Sequence, residues 1–147
     1  MSSRSPEFSN VLAHWSRLQS HSPIYSFLLS SIEITAVTHS SVTAHLKVSV
    51  NHLNSKRTLH GSVSACIVDW VGGLAIASTG LDNTGVSTDL HTIYLSTAKE
   101  GDMLEIIGHA NKVGKTMAFT TVHINRVGED GQSVPVAYGT HTKFVKL

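Results

Sequence analysis

The sequence predicts an α+β fold in which one long central helix is wrapped by a curled antiparallel sheet of about six strands, with a helical arm in front. Three observations carry the prediction. Residues 62–78, SVSACIVDWVGGLAIAS, contain no Lys, Arg, Glu or Pro and are apolar nearly all round, the pattern of a buried helix. Two strand-like stretches precede that helix and four follow it, in the order β-β-α-β-β-β-β. The links between them are short and built from turn formers, so antiparallel pairing is favoured, and one sheet packed on one helix is the economical architecture.

The elements follow in order. Residues 7–29 hold one or two short helical patterns around Phe8, Val11, Leu12, Trp15 and Leu18, broken at Ser22-Pro23 before an apolar stretch over 24–29. They form an N-terminal packing arm over about 1–30. Residues 32–38 turn through His39-Ser40 into 41–51, where Val42, Ala44, Leu46, Val48 and Val50 alternate with Thr43, His45, Lys47 and Ser49. That alternation marks a half-buried strand. A polar loop over 51–57 leads into the helix. After the turn-rich 80–85, strands are expected at 86–95, 103–112, 116–126 and 134–145. Glu100-Gly101-Asp102, Val113-Gly114-Lys115 and 128–131 separate them, each able to close a hairpin.

Composition narrows the function classes. A chain of 147 residues fits one domain over 1–147. Hydrophobic residues make up 41% and charged ones 14%, which leaves apolar surface for a partner subunit to cover. The net charge of +1 argues against nucleic acid as a partner. Cys66 is the single cysteine, so no intrachain disulfide forms and a reducing, intracellular compartment fits, cytoplasmic or mitochondrial. The first residues lack the apolar core of a secretory signal, and one arginine before Arg17 is thin for a transit peptide. The apolar helix is short for a membrane span and carries a central Asp, so no membrane crossing is expected.

Asp69 is the feature that calls for explanation, because an ionised carboxylate among Cys66, Ile67, Val68, Trp70 and Val71 is costly unless it is hydrogen-bonded or does chemistry. Partial desolvation would make it a better base than a carboxylate in water. Gly61 falls at the first turn of the helix, where backbone N–H groups lack partners and the dipole is positive. A plainer role is open to each: a helix-entry glycine, and a buried Asp bonding a neighbouring loop. Ser87 is not in a G-x-S-x-G elbow, so it reads as a hydrogen-bonding group and not a nucleophile. His60 is expected to orient the loop or close the site. The remaining histidines show no zinc-ligand spacing, and no metal is expected.

Asn54-(x5)-His60-Gly61-(x7)-Asp69, Gly85-Val86-Ser87-Thr88-Asp89-Leu90-(x3)-Tyr94-(x3)-Ala98, Gly114-Lys115-Thr116-Met117-Ala118-Phe119-Thr120 and His141-Thr142-Lys143 stand in a specific joint order. That order resembles the hotdog-fold PaaI-type acyl-CoA thioesterase family, and within it the eukaryotic acyl-CoA thioesterase 13 (thioesterase superfamily member 2) branch. The resemblance covers about 32–143. It implies hydrolysis of a medium- or long-chain fatty, or arylacyl, CoA to free acid and CoA. It also implies a homotetramer built as a dimer of dimers, with sites at the dimer interface. By position, Asn54 and the Gly61 N–H would hold the thioester carbonyl. Asp69 of the other subunit would act as base or nucleophile, and Ser87 would orient the water. CoA is part of the substrate, and no separate cofactor is expected. Ser62 and His91 depart from the residues many members carry there.

Asp69 lies eight residues after Gly61, roughly 12 Å of helix, so one subunit cannot bring both to the same carbonyl and an antiparallel partner helix can. The resemblance implies a CoA surface made of Ser87 and Asp89, of Tyr94, Leu95, Ser96, Thr97, Ala98 and Lys99, and of Lys112, Val113, Gly114, Lys115, Thr116 and Met117. Phe144 stands where relatives often place His. The lysines beside tight connections suit a nucleotide's phosphates, and Gly114 allows a nest of outward N–H groups. Trp70, Phe119 and Met117 are candidate walls for the acyl chain. The alternatives are a non-catalytic acyl-CoA or lipid-binding protein, which would not need Asp69, and a dehydratase or hydratase, for which His60 would supply the base.

Overall fold

Ser5 caps the first helix, accepting the Phe8 N–H at 3.1 Å, and Pro6 opens α1 (Pro6–His21). The computed structural model describes residues 4–146; residues 1–3 of the expected arm and residue 147 lie outside the described residues. Ser22 ends α1 and caps α2 (Pro23–Leu28) in turn, because Pro23 has no N–H with which to continue the first helix. Val11 and Trp15 face inward from α1, and the Trp15 ring meets Trp70 edge-on at 5.2 Å.

The sheet is formed by β1 (Glu33–Thr38), β2 (Ser41–Lys47), β3 (Val86–Tyr94), β4 (Met103–Val113), β5 (Met117–Val127) and β6 (Ser133–Phe144). Its strand order is β1-β2-β4-β5-β6-β3, and every neighbouring pair is antiparallel. The central helix, α3 (Gly61–Ala77), lies against the inner face, where Val42, Ala44, Leu46, Leu104, Ile106, Val122 and Ile124 are buried. One row across the sheet, Val42–Gly108–Val122–Gly139, shows how closely the helix approaches. A Cβ on Gly108 would stand 2.9 Å from Val71 Cγ2, and one on Gly139 2.6 Å from Val68 Cγ2, so the glycines make room for the helix valines.

Two expectations need correction. The second strand stops at Lys47 instead of running to 51: Val48 pairs onward with Asp102 and Gly101, and Val50–His52 is a 3₁₀ turn tied by the Ser49 N–H to His52 Nδ1. Val50 is exposed as a result. The Glu100-Gly101-Asp102 link closes no hairpin, because β3 pairs with β6 and β4 with β2 and β5. Gly101, at φ 90°, donates to Val48 O and carries the chain from one edge toward the middle of the sheet. The β3 edge is consequently exposed along most of its length, Val86, Ile93 and Tyr94 included.

Candidate active site

His60 sets the start of α3, its Nδ1 accepting the Ser62 N–H at 3.0 Å and lying 2.7 Å from Ser62 Oγ. The Gly61 N–H donates no hydrogen bond among the described residues, which leaves a free donor at the positive end of the helix. Tyr94 leans over this end and donates its hydroxyl to Gly61 O at 2.9 Å. The loop before the helix is held by Asn54. Its Oδ1 accepts the N–H groups of Lys56 and Thr58 at 2.9 and 3.1 Å, and its Nδ2 donates to Thr58 Oγ1 at 3.0 Å. Asn54 clasps a turn in which Arg57 takes φ 63°, and no hydrogen bond joins it to Gly61 or Asp69.

Past Gly61, the positions of α3 left unburied are Ser62, Ala65, Cys66 and Asp69, spaced three and four apart along one stripe. The helix is enclosed as a whole, while Asp69 is only partly covered. Its side chain is 37% exposed, because the sheet covers the other faces and leaves this stripe to the arm. Between stripe and arm lies a cavity of about 560 Å³, lined by Ser22, Ile24, Tyr25, Leu28, Ser62, Cys66 and Asp69. Burial pushes the Cys66 thiol up to about 11, with the Asp69 charge adding to it, so the sulfur stays protonated at neutral pH.

Two residues with no assigned chemistry meet the carboxylate. Tyr25, from α2, donates its hydroxyl to Asp69 Oδ2. His141, fully buried on β6, brings Nε2 to 3.5 Å from Asp69 Oδ1 and to 2.6 Å from Ser87 Oγ. Asp69 and Ser87 of one chain thus lie on either side of a single imidazole. Burial holds His141 below its ordinary value against the opposing pull of Asp69, so the ring is neutral near pH 7. Lys143, two residues on, is also buried and held low by burial, with Nζ 3.3 Å from Thr84 Oγ1. Of the paired glycines of α3, Gly72 makes space for the His141 ring. His141 was legible only as part of the C-terminal His-Thr-Lys, and nothing in the sequence around Tyr25 signals its contact 44 residues away.

The expected CoA surface divides. Tyr94, Leu95, Ser96, Thr97 and Lys99 are exposed near the N-terminal end of α3, with Ser96 Oγ donating to Pro135 O at 2.6 Å. Ala98 is a correction: it is fully buried, and its carbonyl accepts the Leu59 N–H. Asp89 is exposed on β3 opposite Thr142. Lys112, Val113, Gly114 and Lys115 line a second cavity of about 800 Å³ with Thr79 and Leu81, just past the C-terminal end of α3. Thr116 O accepts from Val145, and Met117 pairs with Phe144 at that same end. The helix between the two groups has 17 residues, about 25 Å. The candidate acyl walls also move. Trp70 is 1% exposed and belongs to the core, while Met117 and Phe119 alternate with inward Ala118 and Thr120 and so face away from α3. Among the described residues no group of three His, Cys, Asp or Glu side chains is placed to hold a metal, and no helix is long and apolar enough to cross a membrane.

Comparison with known proteins places the chain in a class. The model of the thioesterase superfamily matches residues 57–132. Acyl-coenzyme A thioesterase 13 of Homo sapiens is 34% identical over 118 residues, covering 80% of this chain and 82% of that protein. The zebrafish thioesterase superfamily member 2 structure superimposes with a TM-score of 0.79 at 32% identity, over 88% of this chain and 91% of that one. A thioesterase protein from Streptococcus pneumoniae TIGR4, solved with coenzyme A, gives 0.71 at 30% identity over 78% of this chain and 88% of its own. The chain belongs to the thioesterase superfamily, and its curled sheet around one helix is the hotdog fold. Within that superfamily it is similar to the acyl-coenzyme A thioesterase 13 branch.

Proposed function

We propose that this protein hydrolyses acyl-CoA thioesters, of medium- or long-chain fatty or arylacyl groups, to free acid and CoA. The observation that carries this is the position of Asp69, which faces an apolar cavity of about 560 Å³ and is joined through His141 to Ser87. A largely apolar cavity with a carboxylate in its lining suits an acyl chain whose thioester carbon stops at that carboxylate. Asp69 either takes a proton from the attacking water or attacks the carbonyl itself. The water's other contact is the Ser87 hydroxyl, held by His141. The unpaired Gly61 N–H, at the helix N-terminus, receives the oxyanion, and the free hydrogen of the Asn54 amide is its second donor. His60 keeps that helix end in shape. The chemistry draws on side chains and a helix terminus, with CoA entering and leaving as part of the substrate.

The working unit in this proposal is a homodimer. Gly61 and Asp69 lie roughly 12 Å apart on one helix, and the two halves of the CoA surface lie at its opposite ends. An antiparallel second copy sets the N-terminal end of one α3 beside the C-terminal end of the other, which answers both separations at once. The unpaired β3 edge, with Val86, Leu90, Ile93 and Tyr94 exposed, is the surface for a second copy to cover. Two such dimers make the homotetramer that the family resemblance implies.

The test is release of free thiol from acyl-CoAs of graded chain length, with Asp69→Asn as the companion variant. The wild type should release thiol, and Asp69→Asn should lose roughly 10²–10⁴ of the turnover while still binding acyl-CoA. Tight binding with no thiol released by the wild type would identify a non-catalytic acyl-CoA carrier instead. A 3-hydroxyacyl-CoA converted without thiol release would identify a dehydratase.

A further inference from the structure

We propose that the N-terminal arm is a working part of the site, with Tyr25 as the positioning residue that decides which oxygen of Asp69 faces the reacting water. The inference rests on the proposed thioester hydrolysis and adds a residue to it. Tyr25 reaches Asp69 from a different element, and its hydroxyl donates to Oδ2. The other oxygen, Oδ1, is the one turned toward His141 Nε2 and the Ser87 hydroxyl beyond it. A carboxylate turns easily about its terminal torsion, exchanging its two oxygens. A donor committed to one of them stops that exchange.

The hydroxyl is itself held in place from both ends of α2. The Tyr25 N–H is received by Ser22 Oγ, and the Tyr25 carbonyl accepts the Leu29 N–H at 2.8 Å. Leu28 O lies 2.6 Å from Nε2 of His52, which is buried, so the C-terminal end of α2 is tied to the turn after β2. The ring meets Trp15 edge-on at 6.2 Å, and Trp15 meets Trp70 at 5.2 Å, next in sequence to Asp69. The contacts form a closed circuit, from Asp69 through Trp70, Trp15 and Tyr25 back to the carboxylate. Burial and the Asp69 hydrogen bond together hold the phenol well above its ordinary range, so it stays a donor at any working pH. An arm present only to cover the core would need the ring and not the hydroxyl.

Tyr25→Phe keeps the ring against Trp15 and deletes the donor. The expected result is a fall in kcat of about 10-fold, within the range that misplacement of a reacting group produces, with KM changed less than about two-fold and the same loss for every acyl length. The thermal midpoint should stay close to that of the wild type. A double-mutant cycle separates positioning from direct action: in an Asp69→Asn background, Tyr25→Phe should have no further effect on the residual rate. A Tyr25→Phe enzyme with kcat within about two-fold of wild type overturns the proposal while leaving the hydrolysis intact. Full persistence of the loss in the Asp69→Asn background overturns it too, by showing that Tyr25 acts independently of that carboxylate. A wild type that releases no thiol from any acyl-CoA overturns both the function and this role.

Discussion

The Cβ that Gly72 lacks would stand 3.0 Å from His141 Nδ1. It would also stand 2.8 Å from Thr120 Oγ1, the hydroxyl that donates to His141 O at 2.8 Å. The buried imidazole therefore occupies space that a side chain on the helix would take, and the pair Gly72–His141 sets how near β6 comes to α3. Gly73 differs, since its Cβ would meet Lys143 Nζ at 3.6 Å, an ordinary contact.

That difference gives a stability prediction. Gly72→Ala should cost about 1–3 kcal/mol, as overpacking does, and should lower kcat by displacing the ring between Asp69 and Ser87. Gly73→Ala should be neutral or stabilising by up to about 1 kcal/mol, because alanine is the better helix former. Denaturant melts of the two variants should diverge in sign, and equal losses would place the close contact elsewhere.

The cationic hairpin is tested through the substrate's tail. Lys112→Ala with Lys115→Ala should raise KM for acyl-CoA far more than it lowers kcat, the signature of binding lost equally from ground and transition states. Both lysines are exposed, so the penalty should shrink at high salt. It should nearly vanish for an acyl-pantetheine, which lacks the nucleotide phosphates. An equal penalty with both substrates would mean that these lysines hold something else.

Complementation follows from the helix geometry. Gly61→Val forces a side chain into the space within 3.3 Å of the Tyr94 ring and blocks the helix terminus. Asp69→Ala removes the carboxylate. Each homodimer should be inactive, whereas a mixed dimer holds one doubly altered site and one intact site. Random reassortment of equal amounts makes about half the dimers mixed, so roughly a quarter of wild-type activity should return. Mixed dimers that form and stay inactive would place both groups in one subunit's site.

Acid should destabilise the fold through two buried histidines. Burial lowers His14 first, with the charges of Arg17 and Lys143 adding to it, and burial likewise lowers His141. The folded chain then prefers both rings neutral, while the unfolded chain protonates them near 6.5. Their contribution is complete above that value and is lost as the pH falls toward the depressed folded values. His14→Gln should give a thermal midpoint that declines less steeply than the wild type's between about pH 7 and 5. Parallel curves would show that His14 carries none of the effect.

Much of the fold was legible because its signals are local. The alternation of Val42, Ala44 and Leu46 and the unbroken apolar run of α3 depend on residues within a few turns of one another. The same holds for Gly61 at a helix start and for the hairpins through Val113-Gly114-Lys115 and 128–131. Asp69 stood out as a lone carboxylate in that run. Val50 was misassigned because alternation continues in the sequence after the backbone has turned, and only the side-chain bonds of Ser49 and His52 end the strand.

By itself the sequence determined which segments are helix and strand, which faces are apolar and which carboxylate has to be accounted for, since backbone periodicity and side-chain chemistry act over short spans. Tertiary structure alone decided that β3 crosses to the far edge and that Tyr25 and His141 meet Asp69. It also decided that the two lysine-bearing regions lie at opposite ends of α3. Each of these is a contact between segments distant in the chain. Such contacts are selected by how the whole sheet closes on the helix, and no local pattern encodes that closure.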